Sequence, residues 1–227
     1  AETYAAEVRS AISQNLLLRF VPEEALGGLY EALLEAGLAL PEAHTLLDIT
    51  RCPGADTCNL AITRSRGLAQ ALEAHLSALP LAQDPGAKAI GVKISGCPNS
   101  CGQHHIADIG FYGSSRKVGE REVPHYVLLL GGRTREGEAR FGQVVGRIPA
   151  RRVPEAVERI LKRYLEERQN GESFQAYLDR VGAASFKPLL QDLQEVPPYE
   201  EAPEFYQDLG AEGEAFSVQL GRGECAV

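Results

Sequence analysis

Residues 88–102 read KAIGVKISGCPNSCG. As far as Ser95 the apolar residues alternate as on a half-buried strand. Gly96, Pro98, Asn99 and Gly102 then break the run into a turn that carries Cys97 and Cys101, three residues apart. Upstream, the short apolar run Leu46 to Thr50 leads into CPGADTC, which places Cys52 and Cys58 five residues apart. Thirty-eight residues separate the two pairs. Each pair follows an apolar strand, so the pattern predicts two loops meeting at one sheet edge with four thiols converging.

The rest of the chain predicts an α/β protein, a mixed sheet with helices packed on it. QNLLLRFV at 14–21 reads as a buried strand. Pro22-Glu23-Glu24 opens a helix with proline and carboxylates at its positive end, an apolar face of Leu26, Leu29, Tyr30, Leu33 and Leu34, and Gly37 as its stop. A second amphipathic helix follows Cys58, with Ile62, Leu68, Leu72, Leu76 and Leu79 inward, and Pro80 ends it. Ile106–Tyr112 and His125–Leu130 read as strands joined by a polar loop through Gly119. Pro154 starts a third helix, with Val157, Ile160, Leu161, Tyr164 and Leu165 on one face. A short helix is expected over Phe174–Val181. The proline- and glutamate-rich stretch 195–210 reads as an arm laid over the surface and anchored by Tyr199, Phe205 and Tyr206.

Composition narrows the function classes. A formal charge of −8 argues against nucleic acid as the main partner. No segment approaches twenty apolar residues, and the amino terminus has neither a basic start nor an apolar run, so neither a membrane span nor a secretory signal is expected. The expected compartment is cytoplasmic. Six arginines, Arg133, Arg135, Arg140, Arg147, Arg151 and Arg152, fall within twenty residues. They read either as a solvated flexible loop or as a docking patch for an acidic donor or anionic cofactor groups. There is no methionine, through processing or because the chain is cut from something longer.

Three chemistries compete for the four cysteines. Two disulfides need an oxidising compartment and leave a fifth cysteine, Cys225, over. Structural zinc prefers pairs two to four residues apart, tighter than the 52–58 spacing. An iron–sulfur cube holds each iron by a separate thiolate, so wider and unequal spacings suit it, and four soft ligands with no histidine at ligand spacing favour it. The glycines and prolines of both loops, individually ordinary turn residues, bend the backbone so that amides face sulfur.

CPGADTC followed by GCPNSCGQHHIADIGFYG resembles the siroheme- and [4Fe-4S]-dependent nitrite/sulfite reductase family, and QNLLLRFVPEE, the proline-rich arm and the closing GECAV extend the likeness. The resemblance implies the carboxy-terminal half of a six-electron reductase that converts nitrite to ammonia or sulfite to sulfide with electrons from ferredoxin. ADIGF is closer to the nitrite-reducing branch and CPGADTC to the mixed bacterial nitrite/sulfite branch, so the substrate stays open.

By the same resemblance Cys52, Cys58, Cys97 and Cys101 hold the cluster, and Cys101 also bridges it to the siroheme iron. Asn99 and Gln103 lie beside the haem, and Lys93 points toward its carboxylates. His104 and His105, on a strand, would face opposite ways, so at most one is expected to matter. No catalytic base is expected within this chain. Arg9 and Arg19 read as structural, and the substrate-binding basic residues belong to an amino-terminal half, the expected partner. The implied organisation is 1–45, the tail of a ferredoxin-like half-domain; 46–193, the siroheme and cluster domain; and 194–227, the carboxy-terminal arm. A non-catalytic half-molecule and a zinc-stabilised interaction module stand as the alternatives.

Overall fold

The computed structural model describes residues 3–218. Its centre is a five-stranded sheet, β3 (Thr50–Arg51), β4 (Val92–Ser95), β5 (Ile109–Val118), β6 (Arg121–Leu130) and β7 (Gln143–Pro149), in that spatial order. β3, β4 and β5 are parallel neighbours, while β5–β6 and β6–β7 are antiparallel. The sheet is therefore mixed with helices on it, as the sequence predicts. A parallel pair needs a crossover of a dozen or more residues. Between β3 and β4 that crossover contains α2 (Ser65–Ser77) and the short α3 (Pro85–Lys88).

Side chains alternate across a strand, so each sheet face takes every second residue. Ile94, Ile109, Phe111, Tyr126, Leu128, Leu130 and Ile148 face one way. They pack against Leu68, Leu72 and Leu76 of α2, and against Val157, Ile160, Leu161 and Tyr164 of α4 (Val153–Glu167). Full burial of such a side chain contributes about 1.5–3 kcal/mol. α5 (Phe174–Val181) closes this layer through Phe174, Tyr177 and Leu178, with Ser173 Oγ accepting the Ala176 N–H at 3.2 Å as its cap. The other face carries Lys93, Gly110 and Leu129 in one row and Tyr112, Val127 and Arg147 in the next.

Several elements differ from expectation. β5 and β6 are longer than predicted and meet in a tight turn at Gly119, φ 60°. Gln143–Pro149, inside the stretch read as a flexible arginine-rich loop, is the edge strand β7. Its backbone pairs with β6, a long-range partner invisible to local composition. β2 (Leu16–Arg19) is a strand but not a buried one: it forms an isolated hairpin with β1 (Glu7–Ser10), leaving Leu16 64% and Leu17 53% exposed. α1 (Leu26–Glu35) likewise fully buries none of its residues: Leu29 and Leu33 are half-buried, and Leu26, Tyr30 and Leu34 of the apolar face are exposed. Ten of the twelve large exposed apolar side chains among the described residues, from Val8 to Leu40, belong to this amino-terminal segment.

The arm is anchored as predicted. Tyr206 is buried, stacks edge-on against Tyr199 at 5.2 Å and donates its hydroxyl to the Pro197 carbonyl. Arg121 lies over Tyr199, and Arg152 over Phe205. Among the described residues no helix is long and apolar enough to cross a membrane.

Candidate metal centre

β3 and β4 are parallel neighbours, so their carboxyl ends lie side by side and each releases one cysteine loop. Topology thus makes thirty-eight intervening residues irrelevant to the distance between the loops. Cys52 leaves β3 with its N–H on the Ile94 carbonyl at 3.1 Å, and the Gly96 N–H at the end of β4 donates to Cys52 Sγ at 3.1 Å. The Ile62 and Thr63 N–H groups both donate to the Gly96 carbonyl, at 2.8 and 3.0 Å. Ser65 Oγ, on the first turn of α2, donates to the Cys52 carbonyl at 2.7 Å and lies 3.5 Å from its sulfur.

Two glycines allow the loops to touch. Gly54 adopts φ +65°, and a Cβ there would lie 2.5 Å from the Ser65 nitrogen. A Cβ on Gly96 would lie 2.6 Å from the Thr63 carbonyl oxygen and 2.9 Å from the Gly54 Cα. A side chain at Gly96 wedges the two loops apart, and one at Gly54 collides with Thr63 and the start of α2.

The thiols form a graded set. Cys52 and Cys97 are buried, Cys58 is half-buried and Cys101 is exposed. Burial pushes the Cys97 thiol up, the Asn99 N–H donates to its sulfur and opposes this, and Cys52, Cys101 and Cys58 are close enough to push it up further. Four thiolates repel one another, so this donor set is stable in the ionised form around a cation-rich centre. Soft sulfur donors with amides aimed at two of them fit an iron–sulfur group. Among the described residues no group of three or more His, Cys, Asp or Glu side chains is drawn together as tightly as a single metal ion requires. Cys225 lies outside the described residues.

The remaining candidates sit against the second loop. Lys93 Nζ donates to Gln103 Oε1 at 2.8 Å, and burial lowers the lysine pKa. Asn99 is exposed and meets the site through its backbone N–H. Ser100 and Gln103 both take φ 62°. His104 and His105 are not on a strand. They occupy a 3-10 turn, His104–Ile106, whose tight pitch stacks their rings at 4.0 Å instead of separating them. His104 is fully buried, its Nδ1 paired with Ser95 Oγ at 2.8 Å and its Nε2, among the described residues, without a hydrogen-bond partner. Burial lowers its pKa to about 4, with His105 adding to the effect. Ser95 Oγ also accepts the Gly102 N–H at 3.0 Å, so serine and histidine brace the turn that presents Cys101.

The arginine-rich stretch is mostly spent internally. Arg133 and Arg140 pair with Asp179, Arg151 donates to the Glu204 carbonyl, and Arg152 donates to the Asp192 carbonyl. Each of these four therefore already has a hydrogen-bond or ion-pair partner within the fold. A second grouping, not visible in the sequence, joins Arg147 of those six arginines to two distant cations. Arg116, Arg147 and Lys187 line a cleft of about 1080 Å³ with Tyr112 and Val127, and among the described residues none of the three has an ion-pair partner. Glu195 lines it as well. The cleft extends the sheet face that carries Lys93, and only strand register brings these distant residues together.

Comparison with known proteins matches residues 42–196 to the nitrite and sulphite reductase 4Fe-4S domain. The ferredoxin–nitrite reductase of Synechococcus elongatus is 32% identical over 138 residues, 59% of this chain and 25% of that protein. A sulfite reductase [ferredoxin] of Mycolicibacterium paratuberculosis is 29% identical over 172 residues, covering 74% of this chain and 31% of that protein. The solved structure of Mycobacterium tuberculosis NirA protein superposes with a TM-score of 0.65 at 26% identity, over 77% of this chain and 32% of that one. The chain therefore spans about a third or less of the length of these relatives.

Proposed function

This chain belongs to the nitrite and sulphite reductase 4Fe-4S domain family, and on that premise we propose that it is the cluster- and siroheme-binding part of a ferredoxin-dependent nitrite or sulfite reductase. The observation that carries this reading is the junction of the two cysteine loops at the paired ends of β3 and β4, with Gly96 N–H on Cys52 Sγ. When bound, the cluster supplies one-electron transfer and the siroheme an iron at which nitrite or sulfite is reduced.

The residues of this chain take the following parts. Cys52, Cys58, Cys97 and Cys101 are the iron ligands. The Gly96 and Asn99 amides stabilise charge on the Cys52 and Cys97 sulfurs. Cys101, the exposed thiol, is the one available to be shared with the siroheme iron. Lys93 and Gln103 act as a pair beside it, and Arg116, Arg147 and Lys187 offer unpaired cations to the tetrapyrrole carboxylates. A neutral His104 shapes the turn and does not itself carry charge at neutral pH.

In this reading residues 46–193 are the siroheme- and cluster-binding domain, 194–227 the carboxy-terminal arm, and 1–45 the tail of a half-domain completed by the amino-terminal half of the same enzyme. The outward apolar face of β1–β2 and α1 supports that partner, as does the coverage of only 25–32% of the relatives. Substrate-binding bases lie in that partner, so the isolated chain holds cofactor without turnover.

The test is anaerobic purification from cells making siroheme, with absorption spectra, metal analysis and turnover of both nitrite and sulfite by reduced viologen. Haem bands and iron with activity only after the amino-terminal half is supplied bear the proposal out. Zinc with a featureless visible spectrum refutes it.

A further inference from the structure

Among the described residues β3 is the edge strand of the sheet, so one flank of its backbone has no neighbouring strand. That flank is met by one side chain from the β1–β2 turn. Gln14 Oε1 accepts the Arg51 N–H at 3.0 Å, and Gln14 Nε2 donates to the Arg51 carbonyl at 2.6 Å. A primary amide carries one acceptor and a donor side by side, so it offers Arg51 the pairing that a neighbouring strand would offer. Beside it Asn15 Nδ2 donates to Asp48 Oδ2 at 2.7 Å, and the His44 N–H donates to the same oxygen at 2.8 Å.

The hairpin does not need this amide for its own closure. Gln14 N–H donates to the Ala11 carbonyl at 2.9 Å and Ala11 N–H to the Asn15 carbonyl at 2.8 Å, both main-chain bonds. Gln14 also takes φ 67°, where glycine or asparagine would be the easier turn residue. The conformation sets the amide against Arg51, the residue immediately before Cys52. On its other side Cys52 is held by the Ile94 carbonyl and by the Gly96 N–H on its sulfur.

We propose that Gln14 is a positioning residue for the Cys52 thiolate. By completing the open flank of β3 it fixes the main chain of Arg51, and hence the direction in which Cys52 leaves the sheet to meet the Gly96 amide. The proposal rests on the reading of Cys52 as a cluster ligand.

The test compares the anaerobically prepared full chain with Gln14→Leu and Gln14→Gly, reading amide hydrogen exchange at Arg51, iron content and cluster midpoint potential. Gln14→Gly relieves the left-handed backbone and so keeps or strengthens the hairpin, yet it removes the clamp. A purely structural hairpin residue would be improved by that change. Both variants are expected to exchange the Arg51 amide about tenfold faster, as loss of two partly exposed hydrogen bonds implies. Both are also expected to lower the midpoint potential with iron content unchanged, because a looser Gly96 bond stabilises sulfur charge less. Native exchange and native potential in Gln14→Gly would overturn the proposal. Fast Arg51 exchange in a protein whose native form holds no iron would instead leave the clamp standing and remove the cluster reading.

Discussion

Gly96 and Cys52, 44 residues apart in sequence, meet through a single bond in which the Gly96 N–H donates to the cysteine sulfur at 3.1 Å. The contact needs a residue without a side chain, since a Cβ on Gly96 would lie 2.6 Å from the Thr63 carbonyl oxygen, against backbone that cannot turn aside.

Gly96→Ala should therefore separate the loops. We expect a loss of roughly 1–3 kcal/mol in urea unfolding, the usual cost of overpacking, together with reduced iron after anaerobic preparation. Native stability and native iron in this variant would show that the loops do not depend on their close approach.

His104 gives the fold a pH dependence. Its folded pKa is lowered to about 4 from the ordinary 6.5 by burial. The stability it contributes is thus complete above pH 6.5 and is lost as pH falls from there toward 4, by up to about 3 kcal/mol. Urea midpoints of the iron-free chain should fall over this window, and His104→Gln should flatten the fall. An unchanged pH profile in the variant would locate the acid sensitivity elsewhere.

The arm holds the start of α2 from a distance. Asp208, buried, accepts the Arg64 N–H at 2.7 Å and the Leu209 N–H at 2.9 Å, acting as the acceptor that the helix lacks locally. Arg64 Nη1 in turn donates to the Gly210 carbonyl at 3.1 Å. Asp208→Ala should cost about 1–2 kcal/mol, in the range of a lost helix cap, and should make the arm near Leu209 susceptible to limited proteolysis. Undiminished protease resistance would mean that Tyr206 and the arginine–aromatic contacts hold the arm by themselves.

Legibility in the sequence follows the range of the forces involved. The helices α2, α4 and α5 and strand β4 were readable because their periodicity is local. The cysteine loops were readable because turn residues and cysteine spacing are local too. What could not be read depends on pairing across the chain. β7 is a strand because β6 is beside it, and Arg133, Arg140, Arg151 and Arg152 are occupied because Asp179 and two distant carbonyls meet them. The strand and helix at 14–35 carry the right pattern but lie open, because hydrophobic periodicity reports which face wants cover and not whether this chain provides it. The two histidines misled for a smaller reason: a 3-10 turn and a strand end share the same polar, glycine-flanked composition, and only the φ of Gln103 decides between them.

The central claim is that four thiolates, Cys52, Cys58, Cys97 and Cys101, hold one iron–sulfur cluster at the paired ends of β3 and β4. Its most direct test is iron and acid-labile sulfide analysis with electron paramagnetic resonance of the reduced chain, native and with each cysteine replaced singly by serine. The account predicts about four irons and four sulfides per native chain and loss or alteration of the signal in each of the four variants, with Cys225→Ser unchanged. A native signal that survives any one of the four replacements, or disappears in Cys225→Ser, would contradict it.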